Sequence, residues 1–576
     1  MKIVHLELPR YFTLTVREYM TGAATAAHAG GHSFRQYDLN PNFWRWLAGL
    51  STPHSPGDLF EPLLAASGNA ELWPLLAELK AHLNDIGRLY GMGVGLRGIQ
   101  LPRGVVNSSY AMCCLVADTY GCGLFANFFA TLSPRFQLMD ADLICFGLDS
   151  PEGIFWSLQM AAWLRTSGSK AHFCIARHGW ENFSLLQHID ELAKNDWFLG
   201  IIQSVILHPE ELPRTLRQLA DTLDGAPPDA LCNIAIKTAD GVRILSPLPD
   251  DRAQLRIAEP SHIIPDDYFE AMQVPRDHLV YSMAMVRNKC FYKKCSFCVQ
   301  IAKHIGDNAY SQGADIQRAL AACAELERHG VTMVNFMDEA MRPVDIRDFC
   351  AGIQDRHIRM HWVGRMIAAA HPSRDILSQM KEAGCIEVLF GLETFDPALA
   401  ADMGKISKFH ESPAQTAAMV EDFLHAGLFV ILSMIYEFPT ETPEARARTI
   451  AGVEALCAKS SHIAVIFNRF SLFHASRMYL EPGKFNIKCI EPRLGENDLQ
   501  YQFGYECQNP LPPASEQELA SMHRLSLGWP AERYASILAA RGKDLLDMAY
   551  FLDYVSLGFR YRVRNGTTLV DGVSLA

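Results

Sequence analysis

The chain has 576 residues, of which 49% are hydrophobic and 20% charged, with 39 Gly and 30 Pro. This is globular usage, and it excludes disordered, collagen-like and coiled-coil chains. The 52 basic residues against 64 acidic ones leave a formal charge of −12, which disfavours a general nucleic-acid partner or an anionic membrane surface. The opening run Met1–Arg10 is too short in apolar residues and too broken by charge for a signal peptide, and no charge-free apolar stretch reaches the roughly 20 residues of a membrane span. A cytoplasmic protein with no membrane partner is expected.

In chain order, residues 1–225 predict a Rossmann-like α/β domain. Strands are expected at Lys2–Leu8, Ser33–Asp38, Asp142–Gly147, Ala171–Ile175 and Trp197–Gln203. Helical patterns stand between them, at about Val16–His28, Ile154–Leu164 and Glu210–Leu223. Short apolar strands alternating with amphipathic helices imply a parallel sheet covered on both faces. The interruption at about 42–138, rich in Leu, Ala and aromatics, is expected to be a helical insertion rather than a loop. Inside it, Gly93-Val94-Gly95-Leu96-Arg97-Gly98 matches the dinucleotide fingerprint literally. A helix pattern at about Glu71–Leu89 precedes it where that motif needs a strand, so these glycines are expected in a turn or loop. Residues 226–270 carry Pro227, Pro228, Pro247, Pro249, Pro260 and Pro265 and predict a linker with some strand around Ile234–Lys237.

From 271 to 476 the rhythm becomes regular. Six strands are expected, at Leu279–Met285, Met333–Met337, His361–Val363, Val388–Leu392, Phe429–Ile435 and Ile463–Phe467. The helices between them are punctuated by Ser412-Pro413, Thr442-Pro443 and the stops Gly330 and Gly427, which are cap and N1-proline signals. Six such units are two short of a closed eightfold barrel and predict an open, partial (β/α)6 barrel with its chemistry at the C-terminal strand ends. Residues 477–576 lose this rhythm and predict a mixed, largely helical capping domain, with helices at Glu516–Leu527 and Glu532–Asp547.

Of the 15 cysteines, 12 are scattered and behave as small buried hydrophobes, for example Cys145. An odd count in a long chain argues against a disulfide framework. Cys290, Cys295 and Cys298 are different, because they crowd directly after the first barrel strand. Three thiolates suit a [4Fe–4S] cluster with one iron left open, and Lys289, Lys293 and Lys294 offset its charge. A zinc site completed by His304, or three structural thiols, are the alternatives.

The triplet with its barrel resembles the radical SAM superfamily, whose motif is CxxxCxxC with an aromatic before the third Cys. This chain has CxxxxCxxC, one residue longer, with Phe297 in the aromatic place. Asn335-Phe336-Met337-Asp338-Glu339, Phe390-Gly391-Leu392-Glu393-Thr394, Met403-Gly404-Lys405 and Phe438-Pro439-Thr440-Glu441-Thr442 stand in the order of further family motifs. The resemblance implies that Cys290, Cys295 and Cys298 hold the cluster and that its open iron takes S-adenosylmethionine. It further implies that Phe297 packs near the adenine, that Glu393 binds the ammonium of S-adenosylmethionine, that Asp338 or Glu339 takes that role or touches substrate, that Arg365 binds its carboxylate or a substrate anion, and that Ser433 and Asn468 point to the barrel mouth, Ser433 as a cofactor contact. A reductant of the flavodoxin or ferredoxin kind follows from the cluster.

A parallel α/β domain before such a barrel looks like the cobalamin-binding class of that superfamily, in which it presents the corrin toward the barrel. The Asp-x-His-x-x-Gly motif is missing: Pro9-Arg10-Tyr11-Phe12 follows the first strand. Leu148-Asp149-Ser150-Pro151 and Ala176-Arg177-His178-Gly179-Trp180 occupy the corrin-loop positions, with His178 expected as a loop histidine rather than a ligand. The resemblance implies a cobalamin-dependent methyltransferase acting on an unactivated carbon of a small natural-product precursor or a peptide. The other readings are radical cyclisation, rearrangement or epimerisation, and a catalytically inactive zinc-stabilised binding protein.

Overall fold

The architecture is described from a computed structural model. It covers the chain except residues 11–14, 53–56, 66–68, 96–97, 120–122, 149–150, 179–184, 195, 209–210, 247–263, 287–289, 300–311, 406–410, 461, 494–496, 527–562, 565–566, 571–572 and 576. The Glu532–Asp547 helix, His304, Lys289, Asp149, Ser150, Gly179 and Trp180 lie outside the described residues. The chain divides into two compact units. One is Met1–Leu279 with Arg493–Gln500 and Tyr554–Ala576, and the other is Val280–Pro492 with Tyr501–Asp553.

The first unit is built on β1 (Lys2–Glu7), β2 (Ser33–Asp38), β3 (Leu143–Gly147), β4 (His172–Arg177), β5 (Ser204–Ile206), β6 (Ile234–Thr238) and β7 (Gly241–Leu245), in the spatial order β7-β6-β5-β4-β3-β1-β2. The first five are parallel, with Ile3 opposite Leu143 and Lys2 opposite Ser33; β6 and β7 add an antiparallel hairpin. Every residue of β3 is buried, as expected for a strand covered on both faces. The helix after β1 is Thr21–Ala29, preceded by a short strand at Thr15–Arg17, so the helical pattern at Val16–His28 begins later than expected.

The insertion is helical, with Asn40–Ala48, Phe60–Ala65, Asn69–Tyr90, Ser109–Thr119 and Gly123–Phe136. Phe43, Phe125, Phe128 and Phe129 pack around Trp156, with ring centroids 4.8 Å apart for Phe43 and 5.1 Å for Phe125. Two expectations are corrected. Gly93–Gly95 and Gly98–Gln100 pair as a small antiparallel hairpin instead of a loop. Trp197–Gln203 is not a strand: Asp196–Ile201 is helical, and β5 begins at Ser204. Phe198, Leu199 and Ile202 are all buried at helical spacing, and so short an apolar run satisfies either period.

The second unit contains six parallel strands in sequential order: β8 (Val280–Met283), β9 (Met333–Phe336), β10 (His361–Ile367), β11 (Cys385–Glu393), β12 (Phe429–Tyr436) and β13 (Ile463–Arg469). Parallel partners share a face. One face of β9–β11 is covered by helices: Trp362 and Phe336 pack on Phe349 of helix Pro343–Asp355, and Phe390 packs on Phe423 of helix Pro413–His425. The opposite face therefore carries the rows Arg365, Leu389, Ile431, Ala464 and Ile367, Gly391, Ser433, Ile466. Its helices start where the capping residues stand: Ser412 accepts the Gln415 N–H, and Thr442 accepts the Ala445 N–H at 3.2 Å. Beyond β13, Leu472–Phe473 pairs with Gln502–Phe503, Ile487–Ile490 pairs with Tyr505–Cys507, and helix Glu516–Ser526 packs on helix Pro443–Lys459. Arg446 ties this region together, donating to Glu441 at 3.0 Å and to the Pro512 carbonyl at 3.0 Å.

Candidate active site of the barrel and sheet edge of the first unit

The cysteine loop leaves β8 and is pinned from the end of β9. Met337 N–H donates to the Met283 carbonyl at 2.9 Å, and buried Asp338 accepts the N–H groups of Met285 and Val286 at 2.5 and 2.8 Å. Burial pushes the Asp338 carboxyl up to about 6, against the pull of those two amides. Cys290 then forms an isolated parallel bridge with Ala340 and packs with Ile367 and Ala370, while Phe291 and Tyr292 cover this small core. Lys293 takes a left-handed backbone (φ 52°) inside the spacer that is one residue longer than CxxxC.

The far side of the loop is clasped by 402–405. Ser296 N–H donates to the Met403 carbonyl at 3.0 Å and its hydroxyl to the Asp402 carbonyl at 2.9 Å, and the Tyr292 hydroxyl donates to the Gly404 carbonyl at 2.7 Å. Gly404 has φ +73°, and a Cβ there would stand 2.2 Å from the Lys294 carbonyl oxygen. Only glycine permits that approach. Cys298 N–H donates to the Cys295 carbonyl at 3.3 Å, so the last two thiols sit on one turn.

Among the described residues, no three His, Cys, Asp or Glu side chains are gathered as the ligands of a single ion. By donor chemistry the three cysteines suit a [4Fe–4S] cluster, which takes protein thiolates as ligands: Cys290, Cys295 and Cys298 lie on one loop, the last two joined by a backbone hydrogen bond. Burial raises the Cys295 thiol above its ordinary value, opposed by the Lys405 ammonium.

The remaining expected residues fall on or around the same strand ends. Glu393 ends β11 with a left-handed backbone (φ 70°), is buried, and pairs with Lys405 at 2.9 Å. Arg365 on β10 is buried and stands 3.8 Å from Glu339. The amide of Asn468 donates to the Ser433 hydroxyl at 3.4 Å. Phe297 meets Phe438 edge-on at 6.5 Å. Asp338 is engaged with backbone amides rather than turned to an open surface. In the sequence Lys405 stands out only as part of Met403-Gly404-Lys405. Its clue was a single lysine directly after a glycine that ends a helix.

In the first unit the strand order reverses between β1 and β3, the point at which doubly wound sheets bind ligands beyond their carboxyl ends. Glu7 ends β1 there, wholly buried, and accepts from His5 at 2.9 Å and from Arg177 through both nitrogens of its fork. Burial disfavours its ionised form, but Arg177 and His5 overcome it and hold the carboxyl well below the usual range. A Cβ on Gly147 would lie 2.2 Å from the Glu7 carboxylate, so β3 must be bare at that point. His178 is buried and bonds the Ile206 carbonyl at 2.7 Å.

A doubly wound α/β unit and an open six-stranded barrel in one chain are a fold shared with solved structures of low sequence identity. Among solved structures, the chain is similar to TsrM from Kitasatospora setae, a radical S-adenosylmethionine methyltransferase with cobalamin and a [4Fe–4S] cluster bound. The likeness has a TM-score of 0.54 at 12% identity and covers 95% of this chain and 99% of that one. It is similar also to OxsB, a cobalamin-dependent S-adenosylmethionine radical enzyme, with a TM-score of 0.54 at 8% identity over 98% of this chain and 74% of that one. In sequence it is 25% identical over 260 residues to an uncharacterized methyltransferase of Pyrococcus horikoshii, a match covering 43% of this chain and about half (52%) of that relative. No protein-family profile matches the chain. Among the described residues no single helix is long and apolar enough to cross a membrane.

Proposed function

We propose that the protein is a cobalamin-dependent radical SAM methyltransferase acting on an unactivated carbon of a small natural-product precursor or a peptide. The observation that carries this reading is the presence, in one chain, of a doubly wound unit and a partial barrel whose first loop offers Cys290, Cys295 and Cys298. When bound, the cluster supplies the electron that cleaves S-adenosylmethionine to a 5′-deoxyadenosyl radical, and cobalamin supplies the methyl group.

The chain's own residues bind and orient. Cys290, Cys295 and Cys298 hold the cluster. Glu393 and Arg365 offer opposite charges for the amino and carboxylate groups of S-adenosylmethionine, with Glu339 fixing Arg365 and Ser433 adding a hydroxyl on the helix-free face. Phe297, braced by Phe438, gives the adenine an apolar wall. Asp338 acts at one remove, holding the start of the cysteine loop. In the first unit, the Glu7–Arg177 pair shapes the sheet edge for the corrin. A flavodoxin- or ferredoxin-like protein serves as reductant in the cytoplasm, and neither nucleic acid nor membrane is a partner.

Anaerobic reconstitution tests the reading. The wild type should take up about four iron and four sulfide per chain, show a corrin absorption band after growth with cobalamin, and yield a product heavier by one methylene. Cys290→Ala, Cys295→Ala and Cys298→Ala should each abolish iron uptake and S-adenosylmethionine cleavage. Zinc retention without iron would sink the proposal; a product with unchanged mass would exclude methyl transfer while leaving the cluster reading intact.

A further inference from the structure

A buried cation beside the cysteine loop has no part in the assignments above. Lys405 is 4% exposed. Its Nζ donates to Glu393 Oε1 at 2.9 Å and to the Gly391 carbonyl at 3.2 Å, and it stands 5.8 Å from the centre of the Phe297 ring. Gly391 makes room for the pair: a Cβ there would come 3.0 Å from the Glu393 carboxylate and 3.2 Å from Nζ. The backbone that carries Lys405 is the same 402–405 segment that clasps the cysteine loop through Ser296, Tyr292 and Gly404. The charge is thus fixed relative to the thiols by short, local connections.

Burying an ion pair is a poor way to gain stability, since apolar residues of similar volume often do as well or better. This pair has a second set of neighbours. Gly404, next to Lys405 in sequence, lies directly against the cysteine loop: a Cβ there would stand 2.2 Å from the Lys294 carbonyl oxygen and 3.3 Å from the Cys295 Cα. Cluster potentials respond to net charge, to hydrogen bonding and to burial near the sulfurs.

We propose that Lys405 is a positioning residue for the iron–sulfur cluster: held by Glu393 and Gly391, its fixed charge favours thiolate ligation by Cys295 and Cys298 and raises the cluster's reduction potential. This rests on the cluster reading given above.

The test compares anaerobically reconstituted wild type with Lys405→Met, Lys405→Gln and Lys405→Arg. The readouts are iron content and midpoint potential from a redox titration followed by electron paramagnetic resonance. The Met and Gln variants should lose at least tenfold in the equilibrium constant for reduction, about 59 mV for a one-electron couple, or fail to retain iron that the Arg variant keeps. The Arg variant should stay within about threefold of wild type. Gln still offers an amide donor to Glu393 and Gly391, so it carries the prediction if the Met variant does not fold. Equal potentials in all four proteins, or equal losses in the Arg and Met variants, overturn the proposal. A wild type that takes up no iron overturns the cluster reading itself, and this inference with it.

Discussion

Asp338 shows how a carboxylate in a family-like motif can serve the backbone instead of a ligand. Its oxygens accept the Met285 and Val286 amides, and its carboxyl sits at about 6 where an exposed aspartate has 3.8. An acid raised on folding contributes stability that is complete below about pH 4 and is lost as pH rises to 6. Between those values the wild type should lose roughly 3 kcal/mol relative to Asp338→Asn, which does not titrate. Urea titrations across this window measure the difference, and parallel pH profiles would show that the carboxyl ionises normally. Tyr292→Phe removes one hydroxyl from the Gly404 carbonyl and should cost about 1 kcal/mol, read as faster loss of cluster iron to a chelator. At this scale the sequence was partly legible. The cysteines announce themselves by spacing, because their chemistry needs proximity along the chain. Lys405 and Asp338 do not, because Glu393 lies 12 residues from one and Met285 53 residues from the other, across a strand or a loop.

At the scale of elements, local signals read well and ambiguous periods read badly. Ser412-Pro413 and Thr442-Pro443 marked true helix starts, since a cap is satisfied by amides three residues away. Thr442→Ala should cost about 1 kcal/mol of stability in a urea titration. All six barrel strands were legible from their apolar runs and regular spacing. Trp197–Gln203 was not, because so short a run fits a helix as well as a strand. Glycines that look alike in sequence separate in three dimensions. Gly330 and Gly404 both have positive φ, but a Cβ meets nothing within 4 Å at Gly330 and the Lys294 carbonyl at 2.2 Å at Gly404. Gly330→Ala should therefore cost only the left-handed penalty of about 1–2 kcal/mol and keep its iron. Gly404→Ala should push the cysteine loop out of place and lose the cluster, as iron analysis of the two reconstituted variants would show.

At the scale of the molecule, the boundaries between units were the least legible feature, because they depend on contacts between distant parts of the chain. Arg493–Gln500 belongs with the first unit, although the barrel strands precede it. Asp498 makes the connection, accepting the Ser109 N–H at 2.7 Å and the Ser109 hydroxyl, while Leu499 N–H donates to the Asn107 carbonyl at 2.9 Å. Asp498→Ala leaves both Ser109 donors buried without this acceptor and should cost about 2–4 kcal/mol, seen as earlier proteolysis within 493–500. Ribosomal synthesis sets a clock on this arrangement. After Leu279 emerges, the first unit waits for its 493–500 segment, an interval of roughly 10–40 s at ordinary elongation rates. By then all six barrel strands, which end at Arg469, have been made. The helix opening at Ser109 thus stands without its Asp498 anchor until every barrel strand of the second unit has been made.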